Sequence, residues 1–184
     1  MKKNGPWTIK DSEVKYENPW IKVREDRVIR PDGTDGIYGT VHISAGVSVL
    51  PVDSDGFAYL INEFAYAQGD YEISVVSGAR DEGEEFLAAA QRELREELGI
   101  LAETWTALGK DKPLTSYTDA SNHLFLAQGI TADDTFLGDL NEPMTLYKIP
   151  LADAVSMVMN NEITGEVTAL LILKTHLFLN SKGV

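Results

Sequence analysis

The chain has 184 residues (20.3 kDa), 43% of them hydrophobic, with 16 Lys/Arg against 29 Asp/Glu and a formal net charge of −13. That length makes one globular domain, or one domain with an arm, and is enough to bury a core. With no cysteine, disulfide frameworks, thiolate metal sites and cysteine nucleophiles are excluded, and so acidic a surface repels a nucleic-acid backbone, which argues against polyanion binding as a main role.

The N-terminus runs against that charge. Residues 1–30 hold 8 basic and 5 acidic side chains, leaving 8 and 24 for the rest (16 − 8 and 29 − 5), and no Lys or Arg occurs between Arg30 and Arg80. Met1-Lys2-Lys3 is charged with no apolar segment behind it, and no apolar run approaches 18 residues, so a cytoplasmic protein without membrane contact is expected. Alternation over Val14, Tyr16, Ile21, Val23, Val28 and Ile29, then the turn formers Pro31-Asp32-Gly33-Thr34-Asp35-Gly36, predicts a basic antiparallel β-hairpin arm over residues 1–40.

Strands are then expected at Val41–Ile43, Val47–Leu50 and Phe57–Ile61, the last two joined by a hairpin turn at Asp53–Gly56. A single further strand, Tyr71–Val76, runs into Ser77-Gly78. Asp53-Ser54-Asp55-Gly56 imitates the start of a calcium loop, but Phe64 stands where its twelfth-position Glu belongs, so a plain turn is the reading. From Glu84 the period becomes helical: Leu87, Ala90, Leu94 and Leu98 recur, and Gly99 is placed as a C-cap. Strands around Thr104–Leu108, His123–Ala127 and Met144–Ile149 precede helices at Leu151–Met159 and Val167–Leu179. No repeat or linker divides the chain, and the order of elements argues an α+β domain of α/β/α layers around a mixed sheet. His42, His123 and His176 are too scattered for a metal cluster and read as packing or surface residues.

On the central helix, Glu93, Glu96 and Glu97 stand at i, i+3 and i+4 and share one face. Like charges so spaced repel by about 0.2–0.5 kcal/mol per pair, so a cation is expected to offset them. Hard divalent ions take oxygen ligands, and Mg²⁺ is usually held by a few carboxylates together with substrate phosphates. The run Gly78-Ala79-Arg80-Asp81-Glu82-Gly83-Glu84, seven residues, then Arg92-Glu93-Leu94-Arg95-Glu96-Glu97-Leu98-Gly99-Ile100, is similar without mismatch to the Nudix box, G-x5-E-x7-R-E-U-x-E-E-x-G-U with U aliphatic. The chain therefore resembles a Nudix hydrolase. Asn18-Pro19-Trp20-Ile21-Lys22-Val23, Arg30-Pro31-Asp32-Gly33, Tyr38-Gly39-Thr40-Val41-His42 and Met157–Thr164 resemble the ADP-ribose pyrophosphatase branch of that family.

The resemblance implies an α/β/α Nudix-like sandwich over residues 41–184, with the N-terminal β arm exchanged across a two-fold homodimer. It implies Mg²⁺, or Mn²⁺, held by Glu93 and Glu97, with Glu96 supporting them or binding a second ion as a catalytic residue, and with Ser77 joining the metal set at the lead into Gly78. Arg92 orients the carboxylates, Glu84 is its ionic partner, and Gly78, Glu84 and Gly99 are structural members of the box. Glu142, in the loop before the last strand, is expected to be the general base or a further metal ligand, with Glu162 and Glu166 as alternatives. The implied reaction is hydrolysis of the pyrophosphate in a nucleoside diphosphate linked to another moiety, ADP-ribose or a nucleotide sugar first. Dinucleotide coenzymes, nucleoside triphosphates and a sensing role without turnover are the alternatives.

The chain departs from the branch where an arginine usually follows the third core strand: Asn62-Glu63-Phe64-Ala65-Tyr66 has Ala65 there. The loop Leu114–Ser121 also lacks the proline common in ADP-ribose hydrolases. A replacement cation is expected from Arg80 or from the arm around Arg24, Arg27 and Arg30, and Phe64 and Tyr66 are candidates to stack on the substrate.

Overall fold

Alternating residues broken by turn formers fold the N-terminal segment into four antiparallel strands, β1 (Lys2–Asn4), β2 (Trp7–Glu17), β3 (Ile21–Ile29) and β4 (Asp35–Ile43), in the order β1-β2-β3-β4. The structure is a computed structural model; it describes residues 1–136 and 145–181 and divides into two compact units, Met1–Ala45 with Lys112–Ser121, and Gly46–Asp111 with Asn122–Val184. The first unit is thus a sheet rather than a lone hairpin. It takes in residues from a later loop, because Val41 forms a parallel bridge to Thr118 and donates its N–H to the Tyr117 carbonyl at 2.7 Å. Its turns are closed by polar side chains: Asn18 Oδ1 accepts the N–H groups of Trp20 and Ile21, and Asp32 Oδ1 accepts that of Thr34.

The second unit holds two sheets. One has the order β8-β5-β10-β9, from β8 (Val76–Ala79), β5 (Gly46–Pro51), β10 (Asn122–Ala132) and β9 (Ile100–Asp111), with β5 and β10 parallel and the other pairs antiparallel. The other has the order β11-β6-β7, all antiparallel, from β11 (Thr145–Pro150), β6 (Phe57–Ala65) and β7 (Asp70–Ser74). Three helices complete it: α1 (Phe86–Leu98), α2 (Leu151–Met159) and α3 (Glu166–Ser181).

The layering follows from the strand period. Along β5, Val47 and Val49 pack with Ala89, Ala90 and Leu94 of α1, while Leu50 packs with Leu171 and Ile172 of α3. Along β10, Phe125 and Ala127 join the α1 side and Leu124 and Leu126 the α3 side. A strand buried on both faces loses the polar half of its alternation, which is why Val47-Ser48-Val49-Leu50 reads as a nearly continuous apolar run. The result is the expected α+β fold, with helices on both faces of a mixed sheet. Among the described residues, no helix is long and apolar enough to cross a membrane.

Three expectations change in detail. The run Tyr71–Val76 is not one strand: it leaves the β6 pairing at Ser74 and enters the β5 pairing at Val76. At the changeover the Val75 N–H is taken by Thr168 Oγ1 of α3 at 3.3 Å, which satisfies a donor that neither ladder uses. The Asp53–Gly56 turn is closed by a Val52–Ala58 bridge, yet β5 and β6 then part into different sheets. Asp53 spends its carboxylate on the turn, accepting from Asp55, Phe57, Tyr59 and Lys148, so it has no calcium-loop geometry. Burial alone would raise its pKa, but Lys148, the Phe57 N–H and the Tyr59 hydroxyl together hold it below the usual value. Finally, Leu87 is exposed and Phe86 takes the first apolar position of α1.

Candidate active site

The stripe that begins with Phe86 and Ala90 on α1 continues, at i+7 and i+11 from Phe86, with Glu93 and Glu97. Two carboxylates therefore occupy positions where a purely structural helix would place apolar side chains. Both are half-buried, whereas Glu96 is exposed. The Glu93 side chain is 13% exposed and that of Glu96 58%, so the three acids are not equivalent.

One guanidinium organises them. Arg92 donates from Nε to Glu84 Oε1 at 3.1 Å, from Nη2 to Glu84 Oε2 at 3.1 Å and to the Ala79 carbonyl at 3.0 Å, and from Nη1 to Glu93 Oε1 at 2.7 Å and Glu96 Oε2 at 3.1 Å. Glu84 presents both oxygens to the Arg92 fork, the arrangement that makes such pairs strong. The expected i, i+4 bond to Glu96 is present, but it is one of five. The cation that offsets the crowding of acids on this face is in the first place a residue of the same helix.

The electrostatics follow. Glu84 is held below the usual carboxylate range, first by its bond from Arg92 and then by the Asp81 N–H. Burial raises Glu93 above its ordinary value; Arg92 opposes that, and Glu96 and Glu84 add to it. The bond to Glu84 raises Arg92, which keeps it charged throughout. A half-buried carboxylate that its surroundings make costly to ionise has an energetic use for a second cation.

Glycine is required under Glu93. A Cβ on Gly78 would fall on the Glu93 carboxyl group, so only a residue without a side chain lets that carboxylate lie against the β8 backbone. At the far end of α1, Gly99 adopts φ 60 and returns its N–H to the Arg95 carbonyl, with the Phe136 ring where a side chain would be. Arg95 then bonds Asp133 at 2.6 Å, and Asp133 also accepts from the Thr135 hydroxyl and N–H. Those Thr135 bonds first, then Arg95, lower the Asp133 pKa to about 2.

The donors around Gly78 are all oxygens, and the cradle beneath Glu93 is kept open by a missing Cβ; both fit a hard divalent cation. Among the described residues, no three His, Asp or Glu side chains already converge as a metal cage, as is expected where Arg92 draws two of the acids towards itself. Ser77 is exposed on the edge strand β8, and its hydroxyl is engaged with Ser48 Oγ at 2.7 Å and the Val75 carbonyl at 3.3 Å. Its contribution to an ion would be through its backbone.

Of the expected site residues, the structure gathers Gly78, Glu84, Arg92, Glu93 and Glu96 around one guanidinium. Arg80 joins them through a 2.8 Å bond to the Glu84 carbonyl. Phe64 packs edge-on against Tyr71 where β6 meets β7, and Tyr66 lies exposed in the turn between those strands. Arg27 belongs to the first unit and bonds Asp11 at 2.7 Å. Glu142 lies outside the described residues. Glu162 follows α2 and Glu166 opens α3.

Sequence does not single out Phe86 and His123, whose rings stack face to face with centroids 3.5 Å apart and planes 8° from parallel; Arg80 lies over the other side of Phe86, 4.8 Å from its centroid. In the first unit, a cavity of about 340 Å³ is lined by Trp7, Lys22, Arg24, Tyr38 and His42 together with residues 115–119. His42 there pairs with Asp119 at 2.8 Å.

Comparison with known proteins agrees with the fold and places the chain among similar proteins. A NUDIX domain model matches residues 42–146, and a nucleoside diphosphate sugar hydrolase N-terminal domain model matches residues 7–41. The chain is 30% identical over 170 residues to the ADP compounds hydrolase NudE of Escherichia coli (strain K12), covering 91% of this chain and 84% of that protein. It is 26% identical over 167 residues to an ADP-ribose pyrophosphatase of Mycobacterium tuberculosis (strain ATCC 25618 / H37Rv), covering 90% and 81%. The crystal structure of an ADP compounds hydrolase superposes with a TM-score of 0.87 at 24% identity, covering 100% of this chain and 99% of that one.

Proposed function

The chain belongs to the Nudix family, and from that premise we propose that it is a pyrophosphohydrolase of nucleoside diphosphate derivatives, with ADP-ribose and nucleotide sugars as the first substrate class. Water would be added across the pyrophosphate bond, so that ADP-ribose gives AMP and ribose 5-phosphate. The observation that carries this reading is the Arg92-centred carboxylate set, with Glu93 laid over Gly78. Both family models and the relatives named for ADP-ribose and ADP compounds support it.

Nudix hydrolases use divalent metal ions, and for this chain we propose Mg²⁺, held by Glu93, Glu97 and the Ser77 backbone, with Glu96 at a second position. When bound, such ions neutralise phosphate charge and lower the pKa of a coordinated water. The chain's own part is positional. Gly78 admits the Glu93 carboxylate to the backbone, Arg92 fixes Glu93 and Glu96 from one side, and Glu84 fixes Arg92. Glu142 is proposed, by resemblance, to take the proton of the attacking water.

The first unit exposes Val14, Tyr16, Trp20 and Ile37. Exposed apolar groups in that number on one small unit favour a covered surface, which supports the proposed homodimer through the arm; Arg27 is proposed in substrate binding by the resemblance alone.

The test is a substrate panel in Mg²⁺ with products identified by mass spectrometry. The expected outcome is a nucleoside monophosphate plus a phosphorylated second moiety from ADP-ribose or a nucleotide sugar. Cleavage confined to nucleoside triphosphates would contradict the substrate class, and no metal-dependent cleavage of any of them would contradict the enzyme.

A further inference from the structure

Residues paired across neighbouring strands share one face of a sheet. In the second unit one such row runs Gly78 on β8, Val47 on β5, His123 on β10 and Lys110 on β9. Val47 packs with α1 residues, and Gly78 lies under Glu93, so this is the α1 face, the face that carries the box carboxylates. The His123 ring in this row stacks on Phe86, and Phe86 carries Arg80 on its other side. The stretch from residue 31 to 79, which holds no Lys or Arg, ends at Arg80, which lies over Phe86, and Lys110 stands opposite His123 on the neighbouring strand.

We propose that Arg80, His123 and Lys110 form an anion subsite beside the box carboxylates that binds a phosphate group of the substrate, taking the part of the arginine missing at Ala65. This rests on the pyrophosphohydrolase reading given above. The Arg80 guanidinium is held by its bond to the Glu84 carbonyl and by the Phe86 face, yet its buried Nε has no acceptor among the described residues. Lys110 is exposed and has no ion pair among the described residues. Burial first, then Lys110 and Arg80, lower the His123 pKa, so at neutral pH the ring is a neutral donor of one N–H beside Arg80 and Lys110. Such a set attracts an anion and fixes its place, where a lone surface lysine would only attract it.

Methylene diphosphonate, a non-hydrolysable pyrophosphate isostere, is the probe, with affinity measured by calorimetry in Mg²⁺ and activity on ADP-ribose measured in parallel. Lys110→Glu, at an exposed position that leaves the fold intact, is expected to weaken diphosphonate binding more than tenfold and to raise KM with a smaller change in kcat. Arg80→Ala and His123→Ala are expected to weaken it about tenfold each, with Arg80→Lys recovering part of the loss. Parental affinity in all of these variants, or no binding by the parent, overturns the subsite. Unchanged affinity with ADP-ribose still cleaved overturns the subsite alone; affinity that falls in Lys110→Glu in a parent that cleaves no nucleoside diphosphate derivative upholds the subsite and overturns the reading of function.

Discussion

The box helix with its leading loop and the N-terminal sheet use charge in opposite ways. In the sheet, most ion pairs join two or three exposed side chains: Lys10 with Asp35, Arg27 with Asp11, Lys22 with Glu17, and Lys15 with Glu13 and Glu25; Arg24 is the exception, pairing with the buried Asp26 at 3.0 Å. In the box, one arginine serves three carboxylates and a carbonyl, and one of those carboxylates lies where only glycine admits it. Exposed pairs are screened and contribute little to stability, whereas a shared, half-buried network fixes atomic positions. The arm's charges are mostly solvated, and the box's charges set geometry.

Four variants or conditions sharpen that contrast. Gly78→Ala is expected to have the largest effect: the new Cβ displaces the Glu93 carboxylate, and turnover should fall about a hundredfold, as misplacement by about 1 Å can do, with overpacking costing about 1–3 kcal/mol of stability in chemical denaturation. Parental turnover in that variant would show that Glu93 does not need its place over β8. Arg92→Lys keeps the charge but loses the fork, and turnover should fall about tenfold or more with intact far-UV circular dichroism.

A smaller effect is expected from acid. The Asp133 pKa falls from an ordinary 3.8 to about 2 in the folded chain, so the unfolded chain binds the proton first as pH drops. The stability from this group is complete above pH 4 and is lost between pH 4 and pH 2. Melting curves across that window should fall more steeply for the parent than for Asp133→Asn, and equal slopes would remove Asp133 from the account. Least of all, Asp11→Asn should leave the melting temperature within error of the parent, since its partner Arg27 is solvated. A loss as large as that of Gly78→Ala would erase the contrast between the two regions.

Much of this was legible in the sequence because it is local. The box spacing, the Gly99 cap and the helices, expected at Leu151–Met159 and Val167–Leu179 and observed at Leu151–Met159 and Glu166–Ser181, depend on neighbours within a few turns. The split at Val75 was not legible, because a strand's own residues do not say which sheet will pair them, and here Thr168, far along the chain, receives the freed N–H. Leu87 and Phe86 are adjacent apolar residues, and only packing against the core on the α1 side of the sheet decides which is buried. The Arg80–Phe86–His123 stack joins β10 to the start of α1, and no periodicity carries that contact.

The central claim is that the carboxylates on α1 hold the catalytic metal and do not merely shape a helix surface. Glu97→Gln tests it most directly, with Mg²⁺-dependent hydrolysis of ADP-ribose and thermal melting measured on the same preparation. The account predicts turnover reduced by about a hundredfold or more with a melting temperature close to that of the parent. Hydrolysis at the parental rate would contradict it.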